Sequence, residues 1–597
     1  MGQTVADYVL DRLRAWGVEQ VFGFPGDGIN GLLSAWGRSG NKPQFVQARH
    51  EEMAAFSAVG YAKFSGNVGF CVATSGPGAI HLLNGLYDAK LDHVPVVAIV
   101  GQTERSAMGG SYQQEVDLLS LFKDVCSDYL QMCTVSKQLP NLIDRAIRVA
   151  LAERAPTCII LPSDVQELPY EAPERAFKQV PSSLGTAWPT VTPDAAAVQQ
   201  AARILNEGAK VAILVGQGAR GAADELVAVA DLLGAGVAKA LLGKDVLTDE
   251  LPFVTGSIGL LGTTASYQLM RDCDTLLTVG SNFPYTQFLP PLEQARAIQI
   301  DHDGKWIGMR YPYELNIVGD AKTTLAALLP LLVRKTDRSW RNTVEHHVAA
   351  TWNTAQRRAA TDADPVNPQR IFSELSGRLP ADAIVCSDSG SSANWYARNL
   401  RFPPGVRGSL SGTLATMGNG VPYAIGAKFA HPDRPVIALV GDGAMQMNGL
   451  AELITVKRYW EQWSDPRLIV AVLHNDDLNQ VTWELRAMEG SPTFPESQAL
   501  PDVDYAGFAR SLGLFGVNIN DGDKLGAAWE QALSADRPTV LDVRCDPDVP
   551  PIPPHATFEQ VKGVASALLK GDEDSWGIVR AGVKQKVQQY LPGHKDA

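Results

Sequence analysis

Short apolar runs, most of them with no polar residue alternating inside, recur along the chain, and most lead into a glycine or an acid and then a stretch with helical spacing. Residues 21–24, 45–47, 68–73 and 94–100 form one such series, residues 210–216, 278–280 and 298–300 a second, and residues 384–386, 436–440 and 468–473 a third. A run without alternation predicts a strand buried on both faces. Strands alternating with helices predict parallel sheets covered by helices on both sides. The pattern therefore predicts an α/β chain of three doubly wound parallel-sheet domains, at 1–185, 190–335 and 365–550, with a tail at 551–597. A Pro-rich stretch at 167–193 reads as a linker, and the polar residues 334–365 as a helical connector.

Length agrees, since 597 residues exceed what one hydrophobic core supports. A net charge of −13 gives no basic face for nucleic acid, although a local site can still take a small acidic substrate. The seven cysteines include no C-x-x-C pair, so neither zinc nor a disulfide framework is indicated. The acidic, amphipathic start is not a signal region, and no apolar run reaches the roughly 18 residues of a membrane span. These features read as a cytoplasmic protein.

The richest chemistry lies at 436–483. Gly441-Asp442-Gly443 follows one buried run, and His474-Asn475-Asp476-Asp477 follows another, Asn475 standing 33 residues after Asp442. Open parallel sheets bind ligands at the carboxyl ends of their strands. A carboxylate, an amide oxygen and a main-chain oxygen there suit Mg²⁺ holding a diphosphate, and glycines admit phosphate oxygens to backbone N–H groups. Glu51 lies past a strand at a helix start, where a carboxylate complements the helix dipole.

The GDG turn with a later Asn, joined to RHE at 49–51, TSGPG at 74–78 and GQ at 101–102, resembles the thiamine-diphosphate enzymes of the pyruvate oxidase and acetolactate synthase group. The resemblance implies Asp442, Asn475 and the main-chain oxygen of Asp477 as Mg²⁺ ligands. Gly441, Gly443, Ala444, Gly390, Ser391 and Ser392 would lie around the diphosphate, and Met417 would brace the cofactor between its rings. Glu51 would protonate N1′ of the aminopyrimidine and so activate the thiazolium. Gly26, Gly76, Pro77 and Asn84 would line the cofactor channel. Residues 109–117 are similar to an active-site loop reading F-Q-E, with Gln114 and Glu115 matching and Gln113 replacing the Phe. His474 also departs from the family, which commonly has Asn there, and residues 460–467 lengthen the spacing to Asn475.

In the middle domain, Gly216, Gly218, Asn282, Asp301 and Asp320 stand at strand ends, as a dinucleotide site requires, though without a G-x-G-x-x-G fingerprint. Residues 280–288, GSNFPYTQF, resemble the FAD domain in its oxidase form. The resemblance implies decarboxylation of a 2-oxo acid, pyruvate or similar, through an enamine, with electrons passing to FAD and on to quinone or oxygen. The alternative is a non-oxidative lyase or carboligase with FAD structural or absent. Gln113, Gln480 and Trp483 make the pocket more polar than that of a plain pyruvate enzyme. A non-catalytic scaffold protein would have no need of Glu51, Asp442 and Asn475 together. A homodimer or homotetramer is implied, with Glu51 and Asp442 coming from different subunits. Residues 576–591 form a basic amphipathic pattern that either docks peripherally on a membrane or packs on its own subunit.

Overall fold

The computed structural model describes residues 2–174 and 182–551; the amphipathic segment at 576–591 lies outside the described residues. Three six-stranded sheets, each parallel throughout, account for the three series of apolar runs. The first comprises β1 (Gln20–Gly23), β2 (Gln44–Gln47), β3 (Gly69–Ala73), β4 (Val96–Gln102), β5 (Leu130–Met132) and β6 (Pro156–Pro162), in the order 2-1-3-4-6-5. The second comprises β7 (Val211–Val215), β8 (Gly236–Lys239), β9 (Val254–Ser257), β10 (Thr275–Val279), β11 (Arg296–Asp301) and β12 (Leu315–Val318), in the order 12-11-10-7-8-9. The third comprises β13 (Ile384–Ser387), β14 (Arg407–Ser409), β15 (Val436–Gly441), β16 (Leu468–His474), β17 (Phe515–Ile519) and β18 (Thr539–Arg544), in the order 14-13-15-16-18-17.

Renumbered from its first strand, the third sheet repeats the order of the first. The second has instead the dinucleotide-fold order 3-2-1-4-5-6, read from its other edge. The central strands are buried end to end, β3, β4, β7, β10 and β16 among them. This is why their sequences carry no alternation: both faces are covered by helices. The connector at 334–365 contains the long helix Ser339–Ala359, as its composition predicts.

One hydrophobic cluster joins Phe22 and Val100 of the first sheet to Ile384 and Val440 of the third. Between the two sheets, helix Glu51–Ser65 packs on helix Gly420–Ala430 at backbone contact. A Cβ on Gly60 would stand 2.7 Å from the Tyr423 Cα, and one on Gly426 2.2 Å from the Ser57 carbonyl oxygen. The middle domain has its own cluster and is pinned to the others by buried charge. Asp245 receives Arg220 at 2.9 Å and Arg407 at 3.0 Å. The first and third domains are tied in the same way through Asp92, which receives Lys63 at 2.7 Å together with the N–H groups of Gly412 and Thr413. All seven cysteines are free and buried. Among the described residues, no helix is long and apolar enough to cross a membrane.

Substituting Gly426→Val should overpack the junction between the helices and cost about 3 kcal/mol, read as a fall in the thermal unfolding midpoint. Gly37→Ala, in an exposed helical position with nothing within 4 Å of the new Cβ, is the control and should leave the midpoint unchanged or slightly higher.

Candidate active site

In the third sheet the strand order reverses between β13 and β15, and a doubly wound sheet opens its crevice at such a reversal. Gly390 follows β13 with φ of 77°, a backbone conformation that favours glycine, and precedes helix Ser391–Asn399. Gly441 ends β15, and a Cβ there would meet nothing within 4 Å. One on Gly390 would meet only Gln480 Cβ, at 3.9 Å. Two neighbouring strands thus end in bare backbone around open space, with a helix N-terminus beside them. Ser391 Oγ turns towards Asn479, 3.3 Å away. Ser392 differs from the expectation: its buried hydroxyl donates to the carbonyls of Asp388 and Ser389, both at 2.9 Å, so its side chain serves the turn.

Asp442 lies at the edge of this space. Its Oδ2 accepts the N–H groups of Asn475 at 2.8 Å and Asp476 at 2.7 Å, and its Oδ1 accepts that of Gly443 at 2.8 Å. The carboxylate thereby ties the ends of β15 and β16, which pair in register from Val436↔Leu468 to Gly441↔Leu473. Burial pushes its pKa up to about 6 against the lowering effect of those N–H bonds. Asn475 Oδ1 accepts from Asp477 N at 3.1 Å. The Asp477 carboxylate is engaged by Asn479 and Thr482, and its main-chain oxygen accepts Asn479 N at 2.7 Å, keeping one lone pair for a ligand. The donor set is hard oxygen, as a divalent cation on a diphosphate requires. A Cβ on Gly443 would stand 2.7 Å from the end of the Leu478 side chain, which would have to shift to admit it. Ala444, buried, leads into a π-turn at Met445–Gly449, where Asn448 holds both amide atoms buried without a hydrogen-bond partner among the described residues.

The departure at His474 has a structural explanation. Its ring is fully buried, with Nδ1 2.7 Å from Asp542 and Nε2 2.9 Å from Asp476. Burial opposes its charge, but the Asp542 hydrogen bond prevails and raises its pKa. The imidazole braces the 475–477 loop from behind. A cavity of about 240 Å³ adjoins this loop, lined by Asn475, Asp476, Asp477, Thr482, Arg486 and Pro547 among others. Trp483, expected in the pocket, is buried and donates its Nε1–H to the Pro547 carbonyl at 3.1 Å, so it supports that wall from behind. Gln480 is held between Asn394 at 2.6 Å and Glu484 at 2.9 Å, close to Gly390.

In the first domain, Glu51 starts its helix, 7% exposed, with Oε2 2.9 Å from His81 Nδ1. A Cβ on Gly78 would stand 3.0 Å from its Oε1, so that oxygen faces the bare side of a glycine. Gly76 has φ of 59° and sits against Gln114, whose Oε1 accepts the Ser75 hydroxyl at 3.2 Å. Pro77 opens the short helix carrying His81. The 109–117 loop is thus docked on the TSGPG turn through Gln114, while Gln113 is exposed and Glu115 braces the loop through the Gly109 and Tyr112 N–H groups. Gly26 packs on Thr74, where a Cβ would stand 2.5 Å away. Asn84 joins Glu52 to Thr416 Oγ1, the latter at 3.0 Å, next to the half-buried Met417.

The middle-domain residues divide. The N–H groups of Gly216 and Gly218 are engaged by the carbonyls of Val279 and Gly280, both at 3.0 Å. Asp320 caps helix Ala321–Leu328, and Asp301 accepts the Asp303 N–H at 3.1 Å. Asn282 Oδ1, by contrast, is buried with no hydrogen-bond partner among the described residues, and Tyr285, three residues on, is 45% exposed.

Two braces are absent from the sequence reading. Asp388, fully buried, accepts N–H groups of Ser389, Gly418 and Gly420 and so shapes the Met417 loop; burial pushes it up to about 6. Glu452, also buried and pushed up to about 7, accepts the Arg49 N–H at 2.8 Å just before Glu51. A clue for Asp388 was present, since it ends an apolar run as Asp442 does.

The crevice at the carboxyl end of the third sheet, with Asp442 and Asn475 beside open glycine turns, is where a doubly wound α/β protein binds its ligand. Residues 3–121 match the N-terminal TPP binding domain of thiamine pyrophosphate enzymes, residues 198–328 their central domain, and residues 388–543 their C-terminal TPP binding domain. The chain belongs to the thiamine pyrophosphate enzymes. It is 33% identical over 570 residues to protein YdaP of Bacillus subtilis (strain 168), covering 95% of this chain and 96% of that one. It is 32% identical over 568 residues to the acetolactate synthase isozyme 2 large subunit of Escherichia coli (strain K12), covering 92% and 97%. It is 28% identical over 550 residues to the pyruvate oxidase of Lactiplantibacillus plantarum, covering 91% and 88%.

Asp442→Ala should weaken thiamine diphosphate binding in Mg²⁺ buffer at least about tenfold, the scale of one lost charge-assisted contact. Quenching of intrinsic tryptophan fluorescence measures it; unchanged affinity would remove the GDG turn from the site.

Proposed function

We propose that the protein decarboxylates a small 2-oxo acid, pyruvate or similar, with thiamine diphosphate and Mg²⁺, and passes the electrons to FAD and then to a quinone or oxygen. The observation that carries the reading is the pairing of two unlike carboxyls. Asp442 lies beside open glycine turns with Asn475 on the next strand, and Glu51 is buried with one oxygen on His81 and the other facing Gly78. In this reading Asp442, Asn475 and the Asp477 main-chain oxygen hold Mg²⁺, while Gly390, Ser391 and Gly441 receive the diphosphate. Bound there, the cofactor supplies an electron sink for loss of CO₂. Glu51 holds and moves the proton at the aminopyrimidine N1′, and its burial keeps water from competing for it. Gln114, docked on Ser75, and Gln480 border the substrate space.

Assembly follows the same reading. A homodimer or homotetramer would bring Glu51 of one subunit to Asp442 of another. The exposed Ile80 and Met447, next to His81 and to the turn after Asp442, offer apolar surface for that contact.

FAD would lie in the middle domain, whose strand order is that of dinucleotide folds and whose Asn282 keeps a buried acceptor open. A second reading, a lyase or carboligase with the flavin structural or absent, draws on the acetolactate synthase relatives. It also draws on Gly216 and Gly218, whose N–H groups are taken up by their own chain.

Anaerobic addition of pyruvate to the purified protein with thiamine diphosphate and Mg²⁺ should bleach a flavin absorption band. A flavin band that persists, or a colourless protein that forms acetolactate, would favour the second reading. Glu51→Gln should lower kcat about a hundredfold or more, and a variant as active as the parent would deny the carboxyl its part.

A further inference from the structure

Side chains that the chemistry above leaves unexplained join the two sides of the third sheet's crevice. Strands β13 and β16 flank β15, so the Gly390–Ser391 turn and the 475–480 segment start from strands two spacings, roughly 10 Å, apart. Two hydrogen bonds nevertheless cross between them. Ser391 Oγ donates to Asn479 Oδ1 at 3.3 Å, and Asn394 Nδ2 donates to Gln480 Oε1 at 2.6 Å. Both bonds lie within the third domain of one chain. Asn479 is buried, and it also holds the metal loop: its main-chain N–H donates to the Asp477 carbonyl at 2.7 Å and its Nδ2 to Asp477 Oδ2 at 3.1 Å. The second hydrogen of Nδ2 goes to the Pro547 carbonyl at 2.8 Å. Asn394, also buried, uses its Nδ2 in the same way, on the Gly390 carbonyl at 3.3 Å and on Gln480. Only a side-chain amide offers two donors and an acceptor in this arrangement. A carboxylate at 479 would lose both donors and face the Asp477 carboxylate.

We propose that Asn479 is a positioning residue that sets the spacing between the metal loop and the diphosphate turn, with Asn394 and Gln480 as a second brace beside it. The role rests on the reading of Asp442, Asn475 and Asp477 as Mg²⁺ ligands given above. One amide holds the Asp477 main-chain oxygen on one side of the crevice and Ser391 on the other. With its hydrogen on Asn479, the Ser391 hydroxyl ties the turn down, and the N–H groups at the start of helix Ser391–Asn399 are what the turn offers to phosphate oxygens. Buried polar groups whose bonds are all made form a rigid brace. Mg²⁺ tolerates little error in such a frame, since it demands near-ideal octahedral geometry at about 2.1 Å, whereas Ca²⁺ accepts six to eight oxygens at about 2.3–2.6 Å in flexible arrangements. Slackening the bridge therefore penalises Mg²⁺ more than Ca²⁺, while loss of a ligand penalises both.

The test measures thiamine diphosphate affinity of the full-length protein by tryptophan fluorescence, in Mg²⁺ and in Ca²⁺, for Asn479→Ala, Ser391→Ala, the double variant and Asp442→Ala. Asn479→Ala and Ser391→Ala should each weaken binding about tenfold in Mg²⁺ and less than about threefold in Ca²⁺. The double variant should bind no more weakly than Asn479→Ala alone, because both substitutions break one bridge. Ser391→Ala, a small change at a partly exposed position, keeps the test decisive if Asn479→Ala does not fold. Equal losses in the two cations would overturn the proposal and leave Asn479 a structural contact of its loop. Losses that multiply in the double variant would overturn it too, since the two residues would then act independently. Parental affinity of Asn479→Ala in Mg²⁺ would do the same. Parental affinity of Asp442→Ala in both cations would instead overturn the underlying reading of the metal site.

Discussion

The close approach of two helices through Gly60 and Gly426 is the constraint on which the molecule depends. Both glycines sit where a single methyl group would strike backbone, so the first and third sheets are separated by a distance that only bare main chain permits. That approach merges their inner faces into one hydrophobic cluster and fixes how the Glu51 turn is placed relative to the third domain. Arg49 and Gln47, just upstream of Glu51, donate their N–H groups to Glu452 and Tyr459 across the same junction. A buried core is a strong cement but a poor ruler; the two glycines and these hydrogen bonds supply the register.

The third sheet holds its ligand-facing turns by a second device, the satisfaction of carboxylates by backbone. Asp442 and Asp388 each collect three N–H groups. A carboxylate taken out of water is costly unless its oxygens are occupied, and main-chain donors occupy them without adding a competing cation. The result is acids rigidly positioned at the ends of adjacent strands, one buried at the edge of the open crevice and one bracing the Met417 loop. His474, standing between Asp542 and Asp476, extends the same logic to the loop that carries Asn475.

The middle domain works differently. Its buried ions, Lys239 and Lys244 on Asp249 and the Asp245 pair of arginines, face its neighbours and not a ligand. Burial holds Lys244 down to about 8, while the Phe402 N–H and both lysines secure Asp249. These contacts make the domain part of one body with the third sheet, whatever its strand ends bind.

The apolar runs by themselves determined that the chain is α/β with three parallel sheets, because strands covered on both faces leave short unbroken apolar runs, and these alternate along the chain with stretches of helical spacing. The glycines and acids that follow those runs likewise placed Asp442, Asn475 and Glu51 at strand ends, since the chemistry of a strand edge is local. What the sequence left undecided was orientation. Ser392 turning inwards, Trp483 standing behind the pocket wall, Asp320 capping a helix and His81 reaching Glu51 all depend on contacts between residues far apart in the chain or on rotamers set by packing. Local pattern reports which residues reach an edge, but only the tertiary structure decides which way each side chain faces and which partner satisfies it.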